Sequence, residues 1–188
     1  RWGMRCAPTK SRRSVRGCAR ASPGTDLSER LNRESLTGDL HDYAGIALAD
    51  VTLVNSEALA EEALAELLRA DIIGFDTESK PCFTSDAPRT GPHVLQFATR
   101  EQAFIVQLNN DPPLDFLREV IESPHMVKVG FGLKSDRGPL QRKLGLQLGA
   151  SIDLATGMRK LGYKQAVGVR TAVAIALGRR LHKAKSAT

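Results

Sequence analysis

No uninterrupted apolar run of about 18 residues occurs in the sequence, which excludes a membrane-spanning helix. The most apolar late stretch, 167–178, is too short and carries Arg170. Cysteine is scarce: Cys6, Cys18 and Cys82 make an odd number with no CxxC pair, so a disulfide framework is not expected. A reducing, intracellular and soluble setting follows as the expectation. His41, His93, His125 and His182 are scattered, with no zinc-ligand spacing among them or with the cysteines. Aromatics are only 5%, so the core must be mainly aliphatic. The G-x-x-x-x-G-K-[ST] phosphate loop is missing too, which removes a nucleotide-kinase reading.

The chain that remains, 188 residues with 41% hydrophobic and 26% charged, has ordinary values for about one globular domain. Its net charge of +6 is very unevenly spread. Residues 1–24 hold seven basic and no acidic residues, 25–127 hold 7 basic and 19 acidic, and 128–188 hold 13 basic and 2 acidic. A basic C-terminal third suits a polyanion such as nucleic acid, and a merely solvated basic surface fits the charge equally well.

Residues 1–24 are rich in Arg, Ser, Pro and Gly and have almost no apolar periodicity, so they cannot bury enough surface to offset ordering entropy. A basic, disordered extension over 1–42 is expected. Its Arg- and Ser-rich, acid-free start also fits a transit peptide, without the amphipathic period of one. The start at Arg1, with Met4 just inside, favours a tail or an artefact of the assigned start.

Order begins near Tyr43. Ile46–Val54 reads as a short extended segment, and Glu57–Ala70 as a helix with Leu59, Ala63, Leu64, Leu67 and Leu68 facing the core. Asn55 or Ser56 can cap it. A strand follows within 71–80, then a Pro-rich loop to Pro92, then two strands, Val94–Thr99 and Ala103–Leu108, at hairpin spacing. Helices over Leu114–Ile121, Ser135–Leu144, Thr156–Leu161 and Val169–Leu177 alternate with strands over His125–Phe131 and Ser151–Leu154. Pro139 is tolerable if it falls in the first turn of its helix. This order predicts an α/β fold, a mixed sheet covered by helices.

Asp76 and Glu78 close an otherwise apolar strand. Residues two apart on a strand share a face, so these carboxylates project together about 7 Å apart. They repel unless a cation lies between them, and hard oxygen ligands suit magnesium or manganese. The bare D-x-E spacing is common, and a solvated acidic pair in a turn stays open. Downstream, K-V-G-F-G-L-K-S-D-R (128–137) is a strand ending in Gly130 and Gly132, with Asp136 at the start of a helix. Asp136 can serve the helix dipole or reach across to Asp76 and Glu78 as a third ligand. The two glycines allow close backbone approach or simply make the turn.

These segments, FDTES (75–79), HVLQFAT (93–99) and VKVGFGLKSD (127–136), resemble the ribonuclease D and Werner-exonuclease type of 3′-5′ exonuclease, one of the four-carboxylate (DEDD) nucleases. The likeness extends to IDLA (152–155) and to 168–188, some three quarters of the chain. It implies a partial exonuclease domain over 43–188 with a ribonuclease-H-like mixed sheet flanked by helices, incomplete at the C-terminus. It implies Asp76, Glu78 and Asp136 as catalytic and metal-ligating residues for two Mg2+ or Mn2+ ions, and DNA or RNA, as single-stranded 3′ ends, as substrate. The family's third motif, a tyrosine or histidine with an aspartate four residues on, has no counterpart. The last tyrosine is Tyr163 and the last acid Asp153, which stands at a strand position. The resemblance thus implies three of four acids, and weak or absent hydrolysis by these 188 residues, with a catalytically inactive nucleic-acid-binding module as the alternative.

For phosphate contacts, Lys128, Lys134 and Arg137 are the nearest cations, with Arg142, Lys143, Arg179, Arg180, Lys183 and Lys185 adding to the field. Phe83 and Phe131 are the nearest stacking candidates, although core positions suit them better. His93 and Cys82 read as structural or incidental.

Overall fold

The computed structural model describes residues 40–80, 90–108, 111–163 and 167–182. The basic stretch 1–24, Cys82, Phe83 and Lys183 onward lie outside the described residues. Among the described residues six strands form one sheet: β1 (Val51–Val54), β2 (Ile72–Glu78), β3 (Val94–Ala98), β4 (Ala103–Gln107), β5 (Val127–Gly130) and β6 (Ser151–Asp153). Their order is β1-β4-β3-β2-β5-β6, and β3 alone runs against the others. The helices are α1 (Glu57–Leu67), α2 (Leu114–Glu122), α3 (Leu133–Leu144), α4 (Leu154–Lys160) and α5 (Val169–Leu177). The mixed α/β expectation holds. Among the described residues no helix is long and apolar enough to cross a membrane.

Local chemistry accounts for most of these elements. The Ser56 hydroxyl accepts the Leu59 N–H at 3.3 Å and caps α1, which then runs through good helix formers. In the β3–β4 hairpin the Thr99 hydroxyl accepts the N–H groups of Glu101 and Gln102, closing the turn. Ile46–Val54 is not wholly extended; Leu48–Asp50 forms a 3-10 turn before β1.

Cross-strand register puts Val54, Ile73, Phe75, Leu95, Phe97, Phe104 and Val106 on one face of the sheet, all buried. Ala60, Ala63 and Leu67 of α1, four residues of α2, Leu133 and Leu140 of α3, and Leu108, Met126, Leu146 and Leu148 complete that core. Phe75 stacks on Phe97 at 5.4 Å, and Phe116 meets Phe97 edge-on at 5.9 Å, so three of the few aromatics sit at its centre. The opposite face is more open: Ile72 is 61% exposed and Ile152 51%. Asp76 and Glu78 are on that open side.

Two expectations need correction. Leu68 is not core: α1 ends at Leu67, and Leu68, turned off the buried Ala60–Ala63–Leu67 stripe, is 51% exposed. Pro139 does not lie in a first turn, because α3 starts at Leu133, two residues earlier than expected, and Pro139 is in its second turn.

Candidate functional site

Strand β2 is paired asymmetrically. On one edge β3 follows it from Gly74 to Glu78; on the other, β5 pairs only from Ile72 to Gly74. Beyond Gly74 the second edge of β2 is free of strands among the described residues, at the carboxyl end of a parallel pair. Open α/β sheets hold their ligands outside such ends. The chain leaves β5 at Gly130 and passes Gly132, whose φ of +76° is a backbone state that suits glycine, straight into α3. A side chain at Gly130 would collide with the Phe75 carbonyl and crowd Leu133, so this glycine is what lets β5 and the entry to α3 lie tight against β2.

This route brings Asp136, in the first turn of α3, to β2. Its Oδ1 accepts the Thr77 hydroxyl at 2.9 Å. Thr77 faces the core side while Asp76 and Glu78 face the open side, so the bond to Thr77 does not put Asp136 on the face the pair shares. Charge nonetheless links all three. Partial burial, then repulsion from Glu78 and Asp136, hold the Asp76 carboxyl above its ordinary range, against the Thr77 backbone N–H that favours its charged form. Partial burial also raises Asp136, helped by the charge of Asp153 and opposed by the Thr77 hydroxyl. Among the described residues no Lys, Arg or His pairs with any of the three.

Asp153 behaves in the opposite way. Burial pushes its carboxyl up, but backbone N–H groups of Gly132, Lys134, Thr156 and Ala155 outweigh that and hold it below the usual range. Among the described residues no three His, Cys, Asp or Glu side chains gather around one ion position. There is thus no three-carboxylate cage among the described residues; Asp76 shares a face of β2 with Glu78, feels the charge of Asp136, and has no described basic residue paired with it. Carboxylate oxygens are the donor type that magnesium and manganese take.

A model of the 3′-5′ exonuclease family matches residues 51–188. The chain belongs to the 3′-5′ exonuclease family. Among solved structures, the exonuclease domain of Aedes aegypti Nibbler is similar at 22% identity and TM-score 0.62, over 77% of this chain and 75% of that one. Escherichia coli RNase D, described as an exoribonuclease involved in structured RNA processing, is 17% identical with TM-score 0.63, over 73% of this chain and 36% of its own. Trypanosoma brucei RNase D in complex with RNA U12 is 18% identical with TM-score 0.60, over 69% of this chain and 48% of its own. The chain therefore spans less than half of these RNase D structures. No curated protein sequence matches it. The likenesses show a ribonuclease-H-like fold, as the resemblance implied.

In this exonuclease-family chain the expected phosphate contacts need revision. Lys128 cannot meet a phosphate: it lies opposite Ile73 on the core face, is 0% exposed, and its Nζ donates to the Ser123 and Met126 carbonyls at 2.7 and 2.8 Å. The strand HMVKVGF was apolar enough to read as buried, but its parity against β2 was not visible. Arg137 is surface-placed yet engaged, donating to the Leu148 carbonyl at 3.1 Å and the Ser151 hydroxyl at 2.8 Å. Lys134 is exposed, and among the described residues only its backbone has a partner. Phe131 is half-buried and outside the core cluster, so its core assignment is corrected. His93 is structural: its Nδ1 accepts the Lys80 N–H at 3.0 Å, which leaves Nε2 to meet the Thr90 hydroxyl. Sequence reasoning missed Thr77, which carried no signal beyond its place between two acids. It also reduced Asp153 to a strand residue, although an acid just before a helix signals a cap.

Proposed function

We propose that this chain is the metal-ligating part of a 3′-5′ exonuclease that removes nucleotides from single-stranded 3′ ends of DNA or RNA. The observation that carries this reading is geometric: Asp76 and Glu78 share one face of β2, the Thr77 hydroxyl between them bonds Asp136, and no described basic residue pairs with any of the three. Asp76, Glu78 and Asp136 would be the residues that hold two Mg2+ or Mn2+ ions. Such paired ions stabilise the attacking and leaving oxygens of an in-line displacement at phosphorus. The chain's own part is to hold the carboxylates: β3 fixes Asp76 and Glu78 by register, and Thr77 fixes Asp136. Lys134, exposed on the same first turn as Asp136, is the cation best placed to meet a phosphate. An intracellular, reducing setting suits three cysteines without a pair.

One observation favours the alternative, a nucleic-acid-binding module without turnover. Asp153, the last acid of the sequence, is committed to backbone N–H groups, so these residues offer three carboxylates where the family resemblance implies four. The 188 residues alone are then expected to bind metal and nucleic acid and to cleave slowly or not at all. The test is a set of 5′-labelled single strands with free or blocked 3′ ends, incubated with Mg2+ or with chelator. Shortening from free 3′ ends only, dependent on Mg2+ and lost in Asp76→Asn, establishes the exonuclease. Metal-dependent binding without shortening establishes the inactive module. Neither binding nor shortening contradicts both.

A further inference from the structure

We infer that Asp153 is a positioning residue that sets the first turn of α3, and through it Asp136; this rests on the reading of Asp76, Glu78 and Asp136 as metal ligands. Asp153 ends β6 directly opposite Gly130, the last residue of β5. Its Oδ1 accepts the N–H groups of Ala155 at 2.9 Å and Thr156 at 3.4 Å, an ordinary cap of α4. The same oxygen also accepts the Gly132 N–H at 3.1 Å, and Oδ2 faces the Lys134 N–H at 3.5 Å. A cap of its own helix needs neither of these.

They matter because α3 has no cap of its own. Gly132 stands at the N-cap position and has no side chain with which to accept an N–H of the first turn. The first N–H groups of a helix are orphans that need an acceptor. Asp153 supplies it from another strand, 21 residues away in sequence. One carboxylate thus staples two helix starts to the sheet edge, and both bonds toward α3 fall within four residues of Asp136. The depressed pKa of Asp153 agrees with a carboxylate held ionised by these amides. Thr77 grips the Asp136 side chain while Asp153 grips its backbone.

Three substitutions separate this role from the others Asp153 can play. Asp153→Asn keeps an Oδ1 acceptor for Gly132, Ala155 and Thr156, loses the charge, and replaces the Oδ2 acceptor facing the Lys134 N–H with an amide donor. Asp153→Ser keeps a short cap for α4 and loses the reach to Gly132. Asp153→Ala loses both. The readout is Mn2+ binding to the full chain, followed by electron paramagnetic resonance, with amide exchange at Gly132 and Lys134 as a second signal. The expected result is a loss of about 10–100-fold in Mn2+ affinity for Asp153→Ala and Asp153→Ser, the usual range for residues that orient metal ligands. Asp153→Asn, which keeps the Gly132 bond, loses less than about tenfold and quickens exchange at Lys134 alone, whereas exchange at Gly132 quickens in the Ser variant. If Asp153→Ser binds Mn2+ like the parent, the positioning role is overturned. If Asp153→Asn loses as much as Asp153→Ala, charge and not placement is at work, and the inference is again overturned. Asp76→Asn is the reference: if it too leaves Mn2+ binding intact, the metal-site reading itself has failed.

Discussion

The Thr77 hydroxyl and the Asp136 carboxylate, 59 residues apart in sequence, meet at 2.9 Å at the free end of β2. A carboxylate that is partly buried needs such a donor, and a hydrogen bond to a charged group contributes about 1.5–3 kcal/mol. Thr77→Val removes the donor at nearly constant shape. It should destabilise the chain by about 1–3 kcal/mol in urea unfolding and raise the Asp136 pKa further. Carbon-13 titration of the Asp136 carboxyl checks the second point; a fall would contradict it.

Asp76 gives a prediction of opposite sign. Its folded-state pKa is raised, so its contribution to stability is present at low pH and is lost as pH rises through the folded value. Near neutrality, without metal, the ionised group is a liability. Asp76→Asn should therefore melt higher than the parent in chelator, with the gap closing as pH falls into the carboxylate range. Added Mn2+ should raise the parent's melting temperature and leave the variant's unchanged. Thermal scans across pH, with and without Mn2+, decide the matter.

Lys128 supplies the alkaline counterpart. Burial lowers its pKa from 10.5 to about 8. Between those values the unfolded chain holds a proton that the folded chain has released, so stability rises with pH there. Below about 8 both states are protonated, and the full cost of burying an ammonium is present. Lys128→Met titrates nothing. Its stability relative to the parent should fall as pH rises from 8 to 10.5, measured by urea unfolding across that window. A constant difference would refute the assignment.

Much of this architecture was legible because it is local. The caps and periodicity of α1, the hairpin spacing of β3 and β4, and the 169–177 helix all depend on neighbours within a turn or two. What escaped notice is non-local. The Gly132 N–H at the early start of α3 is met by Asp153 from another strand, which no window over 128–137 contains. Lys128 reads as a surface cation until the register with Ile73 turns it inward. Strand alternation was enough to put Asp76 and Glu78 on one face of β2, and the family resemblance was needed to read them as ligands, whereas the contact of Asp136 with Thr77 needed the sheet order.

The corrected face of α1 is open to a direct check. Leu67 is 0% exposed and Leu68 51%. Leu67→Ala should cost about 2–5 kcal/mol, the range for truncating a buried leucine, while Leu68→Ala should stay within about 0.5–1 kcal/mol. Equal losses in paired urea unfolding curves would place the helix in a different rotation.

The central claim is that Asp76, flanked by Glu78 and Asp136, holds divalent cations. Calorimetric titration of Mn2+ into the full chain and into Asp76→Asn tests it most directly. The account predicts saturable binding by the parent and a loss of at least about tenfold in affinity for the variant. Identical isotherms, or no binding by either, would contradict it.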